Sequence, residues 1–85
     1  MEKTDALEAL TALAHPTRLS VFRLLVREEP AGLAAGAIAE ALDVRANTLS
    51  THLALLTRRG LVSAEPHGRI LRYRVDPQGM RALTL

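Results

Sequence analysis

The side chains best suited to bind a metal or move a proton are His15, His52 and His67, and no two of them stand four apart on one helix, the spacing that turns two imidazoles toward one ion. Cysteine is absent, which excludes disulfides, thiolate metal sites and thiol redox switching. No serine-histidine-acid set, phosphate-cradling glycine loop or acid-base pair of carboxylates stands out. Catalysis therefore has no support, and neither a metal nor another cofactor is expected. A different chemistry is concentrated between Arg45 and Arg74. Asn47, Thr48, Ser50 and Thr51 are short, uncharged donors and acceptors behind Arg45, and Arg69, Arg72 and Arg74 follow. Such side chains suit hydrogen bonds to phosphates and base edges, and their plain alternative is a solvated polar surface.

Charge is divided along the chain. The net charge is only +2, but up to Asp43 there are 4 basic and 7 acidic residues, and after it 7 basic and 2 acidic, giving −3 and then +5. That polarity turns the second half toward a polyanion and leaves the first half to pack on a partner. All 7 basic residues of the second half are arginines, which grip phosphate and guanine bidentately. Ten arginines against one lysine overall fit a GC-rich genome equally well. Sixteen leucines, fourteen alanines and 2% aromatics describe a core of close-packed helices. The length suits one domain, over residues 1–85. No apolar run is long enough to span a membrane, and Met1–Asp5 lacks the character of a secretion signal, so a cytoplasmic protein without a membrane partner is expected.

Helices must position the polar stretch. Thr4 is placed to cap a first helix over about 5–14, with Leu7, Leu10, Leu13 and Ala14 on one apolar face. His15-Pro16 breaks it, His15 as a cap and Pro16 as the first residue of a second helix that runs to about Arg27. There Leu19, Val21, Phe22, Leu24, Leu25 and Val26 cover more than one face, as in a helix buried on two sides. Glu28–Gly32 reads as a loop, and a third helix starts near Leu33 or Ala34 with Ile38 and Leu42 inward. After the brief turn Asp43-Val44-Arg45, a fourth helix from Ala46 to about Arg59 sends Leu49, Leu53 and Leu56 inward, and Gly60 ends it in a left-handed conformation. The period then becomes two. Leu61–Glu65 and Ile70–Val75 form a β-hairpin around Pro66–Arg69, with Leu71, Tyr73 and Val75 toward the core and Ile70, Arg72 and Arg74 away from it. Asp76-Pro77 starts a last helix, unfinished at Leu85. The expected fold is mostly α with a small β-hairpin, a winged helix-turn-helix with a three-helix core, recognition helix, wing and C-terminal helix.

Four segments in this order resemble the ArsR/SmtB-like winged-helix repressors: Leu13–Leu19, Ile38–Leu42, Ser50–Leu56 with Arg59–Val62, and Gly68–Val75. The resemblance covers nearly the whole chain and implies a homodimer, joined through the first and last helices, that binds a palindromic operator on double-stranded DNA and blocks transcription until an inducer releases it. It also implies a structural role for Arg18, paired with a carboxylate or a carbonyl. DNA contacts are assigned to Arg45, Asn47, Thr48, Ser50 and Thr51 around the recognition helix and to Arg69 and Arg72 on the wing. His52 is expected to be packed, and His67 to lie on the wing.

The departures from the family pattern bear on sensing. Where its arsenic sensors carry cysteines at the start of the third helix, this chain has Ala34, Ala35, Gly36, Ala37 and Ala39. Where its zinc sensors carry aspartate, histidine and glutamate on the last helix, nothing ligating follows Asp76, unless the natural chain continues beyond Leu85. The inducer is thus unknown. The competing expectation is a winged helix that serves as a protein-protein interaction module, since a fold does not fix a function.

Overall fold

The structure, a computed structural model, describes residues 3–84, with side chains from Ala6 onward. Within them run α1 (Lys3–Leu13), α2 (Pro16–Arg27), β1 (Leu33–Ala34), α3 (Ala35–Leu42), α4 (Ala46–Arg58), β2 (Val62–His67), β3 (Ile70–Val75) and α5 (Pro77–Ala82). The fold is the expected winged helix-turn-helix, mostly helical, but its sheet has three antiparallel strands in the order β1-β3-β2. The expected two-stranded hairpin is therefore corrected. Leu33 and Ala34, read as a helix start, pair with Tyr73 and Arg72. Gly32 makes that approach possible: its φ is +71°, and a Cβ there would overlap the Tyr73 carbonyl.

The buried face of α1 is also not the expected one. Ala6, Ala9 and Ala12 are buried, whereas Leu7 and Leu10 are 59% and 43% exposed. Alanine recurs one position ahead of leucine with the same helical period, and its single methyl lets α1 lie close to α2 and α5. The helix already includes Lys3, so Thr4 lies inside it and not at its cap. At the next corner Nδ1 of His15 accepts the Thr17 N–H at 3.2 Å, Pro16 opens α2, and the Arg18 guanidinium donates to the Ala12 carbonyl. Both side chains thus have the structural roles expected of them.

The core forms where α2 meets α1, α3, α4 and β3. Val21, Phe22 and Leu25 of α2 are buried there with Ile38, Leu49, Leu53, Leu56, Leu61, Val62 and Val75. Leu19 and Val26 stay about 40% exposed, so α2 buries a narrower face than its apolar sequence suggests. Between α3 and α4 the chain turns at Asp43, which holds φ 54° and ψ 49° in the left-handed region. At the end of α4 Gly60 takes φ +73°, its N–H reaching the Thr57 carbonyl and that of Leu61 the Leu56 carbonyl at 3.1 and 3.0 Å. This pair of bonds is the Schellman motif, with Leu61 buried behind it. Strand β2 continues through Pro66 and His67, shortening the expected turn to Gly68-Arg69. Asp76 caps α5 by accepting the Gln78 N–H at 2.8 Å.

Candidate nucleic-acid interface

The face of α4 opposite Leu49, Leu53 and Leu56 is built from what an amphipathic helix leaves outside. Arg45, Asn47, Thr48, Ser50 and Thr51 are all exposed and occupy its N-terminal half, so the fold gathers five of the seven expected residues at one end of one helix. Three of their side-chain oxygens bond to nearby backbone. The Ser50 hydroxyl donates to the Ala46 carbonyl at 3.0 Å and that of Thr51 to the Asn47 carbonyl at 3.3 Å. Oδ1 of Asn47 accepts the Thr48 N–H at 2.9 Å, a bond that does not use the carboxamide NH2 donors. Arg45 occupies the N-cap position, where its guanidinium, a donor with no acceptor, cannot bond the free N–H groups of the first turn.

The wing places the other two apart from each other. Arg69 is exposed at the hairpin tip beside Gly68, whose φ is +65°. Arg72 lies three positions along β3, half-buried, and its Nη1 donates to the Gly32 carbonyl at 3.1 Å. One of its donors is thereby committed to holding the wing against the loop before β1. Arg74, on the same sheet face, is tied more fully. Nη2 donates to Glu29 Oε2 at 2.9 Å and Nη1 to Glu65 Oε1 at 3.4 Å, and the hydrogen bond that Glu29 accepts is the main cause that raises the basicity of Arg74 further. The alternation of β3 foretold the shared face of Arg72 and Arg74, but nothing local signalled Glu29 as a partner.

Behind the exposed polar face of α4 His52 is packed, as expected, against a residue that was not foreseen. Its ring lies 4.6 Å from that of His15, tilted by 48°. Burial, then the nearby His15 and Arg18, lowers the His52 pKa below the usual 6.5. Its Nδ1 is buried and meets no partner among the described residues. The sequence positions of both rings were evident, but their contact depends on how α4 crosses the α1–α2 corner. His67 stands on the wing, 3.9 Å from the Glu65 carboxylate. No group of three potential ligands capable of holding a metal ion occurs among the described residues. No described helix is long and apolar enough to cross a membrane.

The sequence matches a family described as a helix-turn-helix domain over residues 13–63, more than half of the chain. A search of curated proteins gave no match. Among solved structures, a possible transcriptional regulator for arsenical resistance shares 32% identity and superposes with a TM-score of 0.80, over 91% of this chain and 77% of its own. HlyU from Vibrio cholerae is 29% identical with a TM-score of 0.83, over 98% and 89% of the two chains. The homodimeric winged helix-turn-helix DNA-binding domain of a possible ArsR-family regulator from Mycobacterium bovis is 29% identical with a TM-score of 0.80, over 95% and 73%. With the family match spanning the helix-turn-helix and the likeness spanning nearly all of the fold, the chain belongs to the ArsR-like winged helix-turn-helix family.

Proposed function

We propose that residues 1–85 act as a sequence-specific DNA-binding transcriptional regulator, a homodimer that recognises a palindromic operator and represses by occupying it. The observation that carries this reading is the exposed polar half of α4, gathered on the same rigid frame as an arginine-tipped wing. A helix about 10–12 Å across fits the major groove, where side chains read base edges. Asn47, Thr48, Ser50 and Thr51 then face bases or phosphates, and Arg45 reaches a phosphate or a guanine. Arg69 contacts the backbone or the minor groove from the wing, and Arg72 offers phosphate the donors that Gly32 does not hold.

The dimer uses α1 and α5. Leu7 and Leu10 stand outward on α1, Met80 is 43% exposed on α5, and these two helices pack together, so they offer one apolar surface for a second copy. A two-fold dimer reads two half-sites about 34 Å apart, or a multiple of that. This makes the chain a binding protein and not an enzyme. Its ligand-sensing chemistry differs from that of cysteine-based arsenic sensors, because alanines and a glycine stand at the start of α3.

The test is selection from a random duplex library at near-physiological salt, beside an Arg45→Ala/Thr51→Ala/Arg69→Ala variant. Enrichment of a palindrome that the variant fails to enrich supports the reading. No enrichment by the parent transfers it to the protein-protein interaction module.

A further inference from the structure

We infer that Ile70 and Leu71, at the tip of the wing, make an apolar contact with the walls of the DNA minor groove beside Arg69, and so supply a part of the affinity that salt does not screen. The inference rests on the DNA-binding reading above and extends it to two residues that no polar-contact argument selects. Ile70 is 57% and Leu71 49% exposed. Single exposed aliphatics need no explanation, but these two are consecutive and lie on opposite faces of one strand. Leu71 continues the core-facing row of Tyr73 and Val75, yet β3 has run past the core by the time it is reached. Pro66 stands opposite Leu71, and His67 opposite Ile70. One face of the hairpin end is therefore apolar, Leu71 with Pro66, and the other sets Ile70 beside the His67 ring, with Arg69 at the apex.

The tip is held in place by its base. Strand β1 pairs with β3 only at Tyr73 and Arg72, so from Leu71 outward the wing is a free two-stranded projection. Below that point Arg72 bonds the Gly32 carbonyl, and Arg74 bridges Glu29 and Glu65. A projection braced in this way loses little freedom on docking. Its chemistry matches one partner. Arg69 suits the phosphate-lined mouth of a groove about 6 Å wide, and aliphatic side chains next to it suit sugar edges and base steps, as in minor-groove proteins that use Ile, Leu or Pro as wedges.

The experiment compares the parent, Ile70→Ser/Leu71→Ser and Arg69→Ala on the duplex that the parent selects, with affinity measured between about 50 and 200 mM salt. The serine variant should bind about tenfold more weakly throughout, with an unchanged slope of log affinity against log salt. Arg69→Ala should instead lower that slope by about 1. Affinity of the serine variant within about twofold of the parent overturns the inference. So does a loss accompanied by the same drop in slope as Arg69→Ala, because the tip would then act only by placing the arginine. Thermal melting of the serine variant should equal that of the parent, and a marked fall would mean that the two residues serve the fold. A parent that selects no duplex removes the DNA reading itself, an outcome distinct from a failure confined to the serine variant.

Discussion

Replacing Gly79 by alanine sets two effects of opposite sign against each other, and the geometry of α5 decides between them. Alanine is favoured over glycine inside a helix by about 1 kcal/mol, so propensity alone predicts a more stable protein. But Gly79 is buried, and a Cβ there would stand 2.6 Å from the Leu61 Cα and 2.7 Å from the Gly60 carbonyl oxygen. Ordinary contact lies at about 3.5–4.0 Å, so roughly 1 Å must be found. Neither neighbour can turn aside, because both are backbone. Gly60 is held by the Schellman bonds of α4, Leu61 is fully buried, and its carbonyl accepts the Asp76 N–H at 3.0 Å. The short helix α5 must move instead, and Ala82 with it. Overpacking of this kind costs about 1–3 kcal/mol, which outweighs the gain in propensity. A net loss of about 1 kcal/mol is expected, lowering the thermal midpoint by about 4–8 °C. Circular dichroism melting measures the loss, and sedimentation should show a weaker dimer, since α5 carries part of the proposed interface. A midpoint equal to or above that of the parent would refute the close approach of α5 to the Gly60-Leu61 backbone.

Three further outcomes are expected. Asp43→Gly should raise stability by about 0.5 kcal/mol in urea titration, since φ 54° costs an L-residue more than glycine loses in unfolded-state freedom; lower stability would show that the Asp43 side chain holds the turn. His52 has a folded pKa below its unfolded value of 6.5, so the stability tied to its neutral form is complete above 6.5 and is lost as pH falls through the lowered folded value. His52→Gln should flatten this part of the stability-pH curve, and an equal slope in both proteins would assign it to other groups. Leu7→Glu/Leu10→Glu should turn the proposed dimer into a folded monomer in sedimentation, because both side chains lie outside the core; a dimer that survives would move the interface away from α1.

Much of this fold is written in local patterns. Leu49, Leu53 and Leu56 recur with the helical period, so the buried seam of α4 and the polar face opposite it were legible together. Pro16, Gly60 and Gly68 mark boundaries because their backbone preferences act on their immediate neighbours, and His15 caps α2 through an atom only two residues away. The expected recognition residues of α4 follow from the same periodicity. Arg69 follows from its place beside the turn glycine.

Contacts between distant segments were not legible in this way. On α1 the alanine and leucine rows have the same period, and only the closeness of α2 and α5 selects the alanines for burial. Strand β1 is two residues long and has no periodicity to read. It exists because β3 presents an edge to which Gly32 can come close. The partnership of Arg74 with Glu29 spans 45 residues, and His15 meets His52 only where α4 crosses the α1–α2 corner. Alternation correctly assigned Leu71 to the core-facing row, but whether a row meets the core depends on how far its strand outruns the helices. The sequence by itself determined the elements, their caps and their amphipathic faces, because those depend on neighbours within a turn or two of chain. The tertiary structure alone decided which surfaces meet and which stay open, because close packing is a relation between elements that no single segment contains.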